Sequence, residues 1–208
     1  MKLRDAWCLV LLACVLTAPA AACPTIAACE LALQRAPRDA GVRRDYGQML
    51  LRAGAYDEAL ESYRQAVALA PEDARSHEAL GAALAFLRDY AGAMPELEQA
   101  VALDPGAVQS LRMLQIVQDG LRLREAAIGT ARKLADRGDV LAMYDLAVAL
   151  EQSEPEQAAM WLKRAAEAGH VAAMDQLAQA HFDGALGPAS NAAEGETWAT
   201  RAREARGR

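Results

Sequence analysis

The residues that could do chemistry are few and widely spaced. The chain has three histidines, His77, His170 and His181. His170 and His181 stand at the two ends of one helical stretch, about 16 Å apart, too far to share a metal ion. His77 lies in a different segment, and all three read as surface or packing histidines. Close carboxylates occur at Glu154 with Glu156 and at Glu194 with Glu196. Acidic residues are common at helix starts, where they face the positive end of the dipole, so these pairs are weak evidence for acid–base work. The chain contains no Gly-rich phosphate loop, no H-E-x-x-H and no G-x-S-x-G. The expectation is no catalytic residue, no metal ligand and no cofactor.

Composition points to the elements that carry these residues. Ala fills 50 of the 208 positions and Ile only three. Ala is the best helix former, whereas strands need β-branched and aromatic residues, so an all-α chain is expected. A hydrophobic share of 53% with 24% charged residues argues for a folded chain. A net charge of −6 disfavours a general nucleic-acid binder.

The N-terminus reads as an export signal over residues 1–22. Lys2 and Arg4 precede an apolar run from Ala6 to Leu16, followed by the small-residue tail Thr17-Ala18-Pro19-Ala20-Ala21-Ala22. That order describes a secretory signal peptide, and the run is too short to span a bilayer. Cleavage falls after Ala20 or Ala22. The second choice exposes Cys23, and Ala20-Ala21-Ala22-Cys23 resembles a bacterial lipobox in which Ala20 replaces the usual Leu. Cys8 and Cys14 leave with the signal. Cys23 and Cys29 remain, with Thr25 as the expected cap of a helix that begins at Ile26. The two cysteines form either a disulfide or separate thiols, and a lipid on Cys23 would exclude the disulfide.

The mature chain is repetitive. Pro37, Pro71 and Pro105 are spaced by 34, as are Gly47 and Gly81, Tyr56 and Tyr90, and Ala59 and Ala93. Gln65-Ala66-Val67-Ala68-Leu69 returns unchanged at Gln99-Ala100-Val101-Ala102-Leu103. A fixed period of this length marks a stack of supersecondary units. Gly47 and Gly81 sit inside a first helix, which makes sense where another helix crosses closely. The prolines stop each second helix. These residues resemble the tetratricopeptide repeat, a pair of antiparallel helices. On that pattern residues 23–137 hold a half repeat over 25–37, repeats over 40–71 and 74–105, and a degenerate repeat over 108–137. Pro95 departs from the pattern; it should kink its helix or delay its start by a turn.

The C-terminal segment, 138–208, changes pattern. Ala142-Met143-x-x-Leu146-Ala147 returns at Ala173-Met174-x-x-Leu177-Ala178, and Trp161-x-x-Arg164-Ala165 returns at Trp198-x-x-Arg201-Ala202. These residues resemble two Sel-one-like repeats, with Gly195 in place of the Ala expected before the second Trp. Trp161 and Trp198 read as core fillers. The whole implies a right-handed α-solenoid of ten to eleven antiparallel helices in one curved array.

Both resemblances imply a non-enzymatic protein–protein interaction module: a scaffold, adaptor or assembly chaperone in the periplasm of a Gram-negative bacterium. An alternative is an outer-membrane lipoprotein that assists assembly of a secretion or pilus machine, with Cys23 as its only membrane attachment. A Sel-one-like β-lactam-binding enzyme is disfavoured, because those proteins resemble Cys-rich repeats and 138–208 has no Cys. In tetratricopeptide repeats the first helices line the concave face. The resemblance therefore implies an exposed set of Arg44, Gln48 and Arg52, then Arg75, Glu78 and Phe86, then Arg112 and Ile116. This face is basic on an acidic chain, and the expected partner is an extended or helical peptide of acidic character. The family's carboxylate clamp is not expected, because Ala79, Gln109 and Met113 occupy its last three positions.

Overall fold

The computed structural model describes residues 23–184 and 190–207; the signal-peptide reading of residues 1–22 lies outside them. Eleven helices and no strand occur among the described residues. They are α1 (Ile26–Arg35), α2 (Ala40–Arg52), α3 (Tyr56–Leu69), α4 (Ala74–Phe86), α5 (Tyr90–Leu103), α6 (Val108–Gly120), α7 (Arg124–Asp136), α8 (Val140–Leu150), α9 (Pro155–Glu167), α10 (Val171–Phe182) and α11 (Ala192–Arg206). None of these helices is long and apolar enough to cross a membrane. The fold is all-α, built as an α-solenoid of consecutive helix pairs. It divides into two compact units, one ending at Ala127 and the other starting at Ile128.

Local chemistry sets the helix ends. Asp39 and Asp73 stand 34 residues apart, and each caps a first helix by accepting a backbone N–H, from Val42 and from Arg75. Second helices end two residues before a proline. Ala36, Ala70 and Asp104 precede Pro37, Pro71 and Pro105 and share a non-helical backbone, with φ of −135°, −142° and −131°. The ring of a following proline clashes with helical backbone, so the chain must straighten there. Between the helices of a pair the chain turns through a left-handed residue. Gly54, Arg88 and Arg122 hold this place in successive repeats, with φ of 81°, 66° and 60°.

In the first unit α2 packs on α3, α4 on α5, and each pair on the next. The core holds Leu50, Tyr63, Leu80, Leu97, Leu114 and Val117. The in-helix glycines find their reason here. A Cβ on Gly47 would lie 2.9 Å from the Tyr63 ring, and one on Gly81 would lie 2.7 Å from Leu97 Cγ. Tyr63 and Leu97 are themselves 34 apart, so one close crossing is built twice. α6 takes its place as a first helix, packed on α4 and α5. Pro95 does not delay α5, which starts at Tyr90, 34 residues after Tyr56 opens α3.

In the second unit α8 packs on α9, α9 on α10 and α10 on α11. Trp161 is buried and Trp198 half-buried, each beneath an arginine three residues on: Arg164 at 4.2 Å and Arg201 at 4.9 Å from the ring centroid. Gly195 stands where a Cβ would come 2.8 Å from the Phe182 ring.

Near the N-terminus Cys23 and Cys29 are joined by a disulfide with Cα atoms 5.0 Å apart. Both cysteines are buried, Cys29 within α1.

Candidate partner-binding face

Within the first unit each first helix touches the next first helix: α2 packs on α4, and α4 on α6. Helices in such direct succession form a continuous face, and the residues on their outward stripe define its chemistry.

The structure brings the eight expected residues onto these three helices but does not expose them equally. Arg52, Arg75 and Arg112 are exposed. Gln48 and Ile116 are half-buried, and Ile116 packs against the core. Phe86 is also half-buried, with its ring centroid 6.1 Å from that of Tyr56, whose side chain is 42% exposed.

Arg44 and Glu78 correct the expectation of freely exposed charges. They occupy the same repeat position, and each is half-buried in a bond to the following first helix. Arg44 Nη1 donates to Asp73 Oδ2 at 2.7 Å. Glu78 accepts from the Ser110 hydroxyl. The physical reason is proximity: the next helix arrives close enough for a long side chain at this position to bridge to its N-terminus.

Asp73 is the centre of the first tie. It caps α4, accepts the Ser76 hydroxyl at 2.7 Å and receives Arg44. Burial alone would raise its carboxyl. The Ser76 hydroxyl, the Arg44 guanidinium and the N–H groups of Arg75 and Ser76 outweigh that and hold it below the usual carboxylate range. Asp73, Ser76 and Ser110 escaped the reading of the sequence as parts of this face. The spacing of Ser76 and Ser110, again 34, is the signal that marks them.

The histidines all have structural partners. His77 Nδ1 lies 2.7 Å from Glu96 Oε2, and its Nε2 lies 3.0 Å from the Pro71 carbonyl. His170 caps α10: its Nδ1 accepts the Ala173 N–H at 3.2 Å, and its ring stacks on Tyr144 at 4.3 Å. Burial lowers the pKa of His170. His181 Nδ1 accepts the Asn191 N–H, and its Nε2 lies 3.3 Å from Glu194. Among the described residues no three His, Cys, Asp or Glu side chains converge as a metal site.

Comparison with known proteins agrees with this geometry. Residues 47–85 match the family model described as TPR repeat, and residues 74–106 the one described as tetratricopeptide repeat. Residues 47–106 carry tetratricopeptide repeats. No curated protein matches the chain by sequence. Among solved structures, the fold is similar to the crystal structure of MamA, at 23% identity and TM-score 0.62, over 69% of this chain and 85% of that one. It is similar to YrrB, described as a TPR protein with an unusual peptide-binding site, at 16% identity and TM-score 0.65, over 86% of this chain and 92% of that one. It is also similar to MamA 41-end from Desulfovibrio magneticus RS-1, at 20% identity and TM-score 0.58, over 81% and 93%. At these identities the likeness concerns the fold alone. Tetratricopeptide repeats generally bind protein or peptide partners.

Proposed function

We propose that this chain is a non-enzymatic interaction module of the bacterial envelope that holds a partner peptide or protein against the α2–α4–α6 face of its first unit. The observation that carries the reading is the placement of exposed Arg52, Arg75 and Arg112 on three successive, mutually packed first helices. Exposed arginines on helices that also carry Phe86, itself paired with Tyr56 of α3, combine two side-chain types enriched at interface hot spots. The second unit is read as two Sel-one-like repeats, supported by the recurring Trp–Arg stack.

Export rests on the N-terminal sequence, and the soluble form is preferred over the lipid-anchored one. The Cys23–Cys29 disulfide engages the sulfur that a lipid would need.

Site-specific photo-crosslinking tests the reading. A photoreactive residue placed at Arg75, exposed on α4, should capture a discrete partner in the native envelope. The same residue at Arg64, on α3, should not. Equal capture from both positions, or from neither, would remove the α2–α4–α6 face as the site.

A further inference from the structure

We infer that the Cys23–Cys29 disulfide is a latch that docks α1 on the end of the first unit, and that the chain with both thiols reduced leaves α1 undocked. The first observation is how little else holds this helix. α1 has ten residues, and isolated helices shorter than about 12–15 residues are marginal in water. Its place on α2 must therefore come from buried side chains, and Cys29 is the one buried residue of the ten. By contrast α3 buries Ala59, Ser62, Tyr63 and Ala66, and α5 buries Ala93, Leu97 and Ala100. The rest of α1 is attached in part. Ile26, Ala28, Ala32 and Leu33 are half-buried, and the Tyr46 hydroxyl donates to Glu30 at the surface over 3.4 Å.

The second observation is the repeat register. Cys29, Tyr63 and Leu97 are spaced by 34. Tyr63 and Leu97 are the side chains that close on Gly47 and Gly81 of the first helix in their own pair. Among the described residues no helix precedes α1 to play that part. Cys29 meets the sulfur of Cys23 instead, and neither residue is more than 3% exposed. The bond thus supplies buried contact at the position where the other pairs use helix packing.

The third observation is shielding. Thiol–disulfide exchange needs a thiolate to reach a sulfur atom. With both cysteines buried, that access exists only while α1 is away from α2. The bond forms when one protein thiolate attacks an oxidised disulfide donor and the other displaces the donor from the mixed disulfide. The donor leaves as a dithiol, carrying the two electrons and, at its sulfurs, two protons in place of those the cysteines gave up. Once set, the latch is hidden from small thiols. Under the export reading it closes after the chain leaves the reducing cytosol, but the docking of α1 does not depend on that reading.

Hydrogen exchange compares the purified, oxidised protein with its Cys23→Ser variant, which keeps Cys29 inside α1 and cannot close the bond. In the variant the amides of Ile26–Arg35 should exchange within about tenfold of an unstructured peptide, while those of α4, α5 and α6 stay at least about a hundredfold protected. Trypsin should cut the variant after Arg35 and Arg38, both exposed, at least about tenfold faster than the oxidised protein. The protein reduced in urea and refolded without oxidant should match the variant, and oxidised glutathione should restore α1 protection. Dithiothreitol should cleave the bond at least about tenfold more slowly in the folded protein than in urea. Protection of α1 in the variant, or its loss across α4–α6 as well, would overturn the latch. Equal reduction rates with and without urea would overturn the shielding.

Discussion

Arg44 and Asp73 lie 29 residues apart in sequence, yet their side chains meet at 2.7 Å, joining α2 to the capped start of α4. One repeat later Glu78 and Ser110 make the equivalent link from α4 to α6 with the polarity reversed: the first helix now accepts and the next one donates.

Arg44→Glu should destabilise the first unit by about 2 kcal/mol. It replaces a hydrogen-bonded cation by an anion facing Asp73, and bonds to charged groups are worth about 1.5–3 kcal/mol. Arg64→Glu, exposed on α3, should stay within about 0.5 kcal/mol. Urea unfolding of the two variants makes the comparison. Equal midpoints would mean that the Arg44–Asp73 contact contributes nothing.

Gly81→Ala and Gly129→Ala should act in opposite directions, although both glycines are inside helices. A Cβ at Gly81 would meet buried Leu97 at 2.7 Å and the Ala93 carbonyl at 3.3 Å, whereas one at Gly129 meets nothing within 4 Å. Overpacking costs about 1–3 kcal/mol and exceeds the helix propensity gained. At Gly129 the propensity gain of about 1 kcal/mol stands alone. Thermal melts should place Gly81→Ala below the parent and Gly129→Ala above it, and the reverse order would refute the close crossing.

Acidification should weaken the second unit through His170. Its folded pKa is lowered by burial, and Nδ1 must stay unprotonated to accept the Ala173 N–H. Below about 6.5 the unfolded chain takes up a proton that the folded chain resists, so stability falls as pH drops toward the folded value. Above 6.5 both states are neutral and the contribution is constant. His170→Asp places at this cap the residue type that Asp139 supplies to α8. The melting temperature of that variant should change less between pH 7.5 and 5.5 than the parent's, and an identical slope would clear His170.

The intact mass of the exported protein should be two daltons below its fully reduced form, as one disulfide requires. Joining Cys23 to Cys29 closes a short loop, so Cys29→Ala should lower stability by about 2 kcal/mol. A mass gain corresponding to a diacylglycerol group would instead identify Cys23 as a lipid anchor.

Which features were legible in the sequence follows from the range of the forces involved. Pro37, Pro71 and Pro105 end helices through clashes within a few residues of chain, and Thr25 caps a helix through a bond three residues long. Such short-range constraints are written in the order of residues, and repetition every 34 positions makes them conspicuous. Gly47 and Gly81 were legible at one remove, since a glycine inside a helix points to a close neighbour without naming Tyr63 or Leu97. The sequence by itself thus determined the helices, their pairing and the stretch of first helices that forms a face. Only the tertiary structure decided which charges on that face point outward. Arg44, Arg52 and Arg112 look alike as letters, but the distance between successive first helices brings Asp73 within reach of Arg44 and leaves Arg52, Arg75 and Arg112 exposed. Contact between side chains 29 residues apart depends on how tightly repeats stack, and that spacing is set by packing in the core rather than by any local residue pattern.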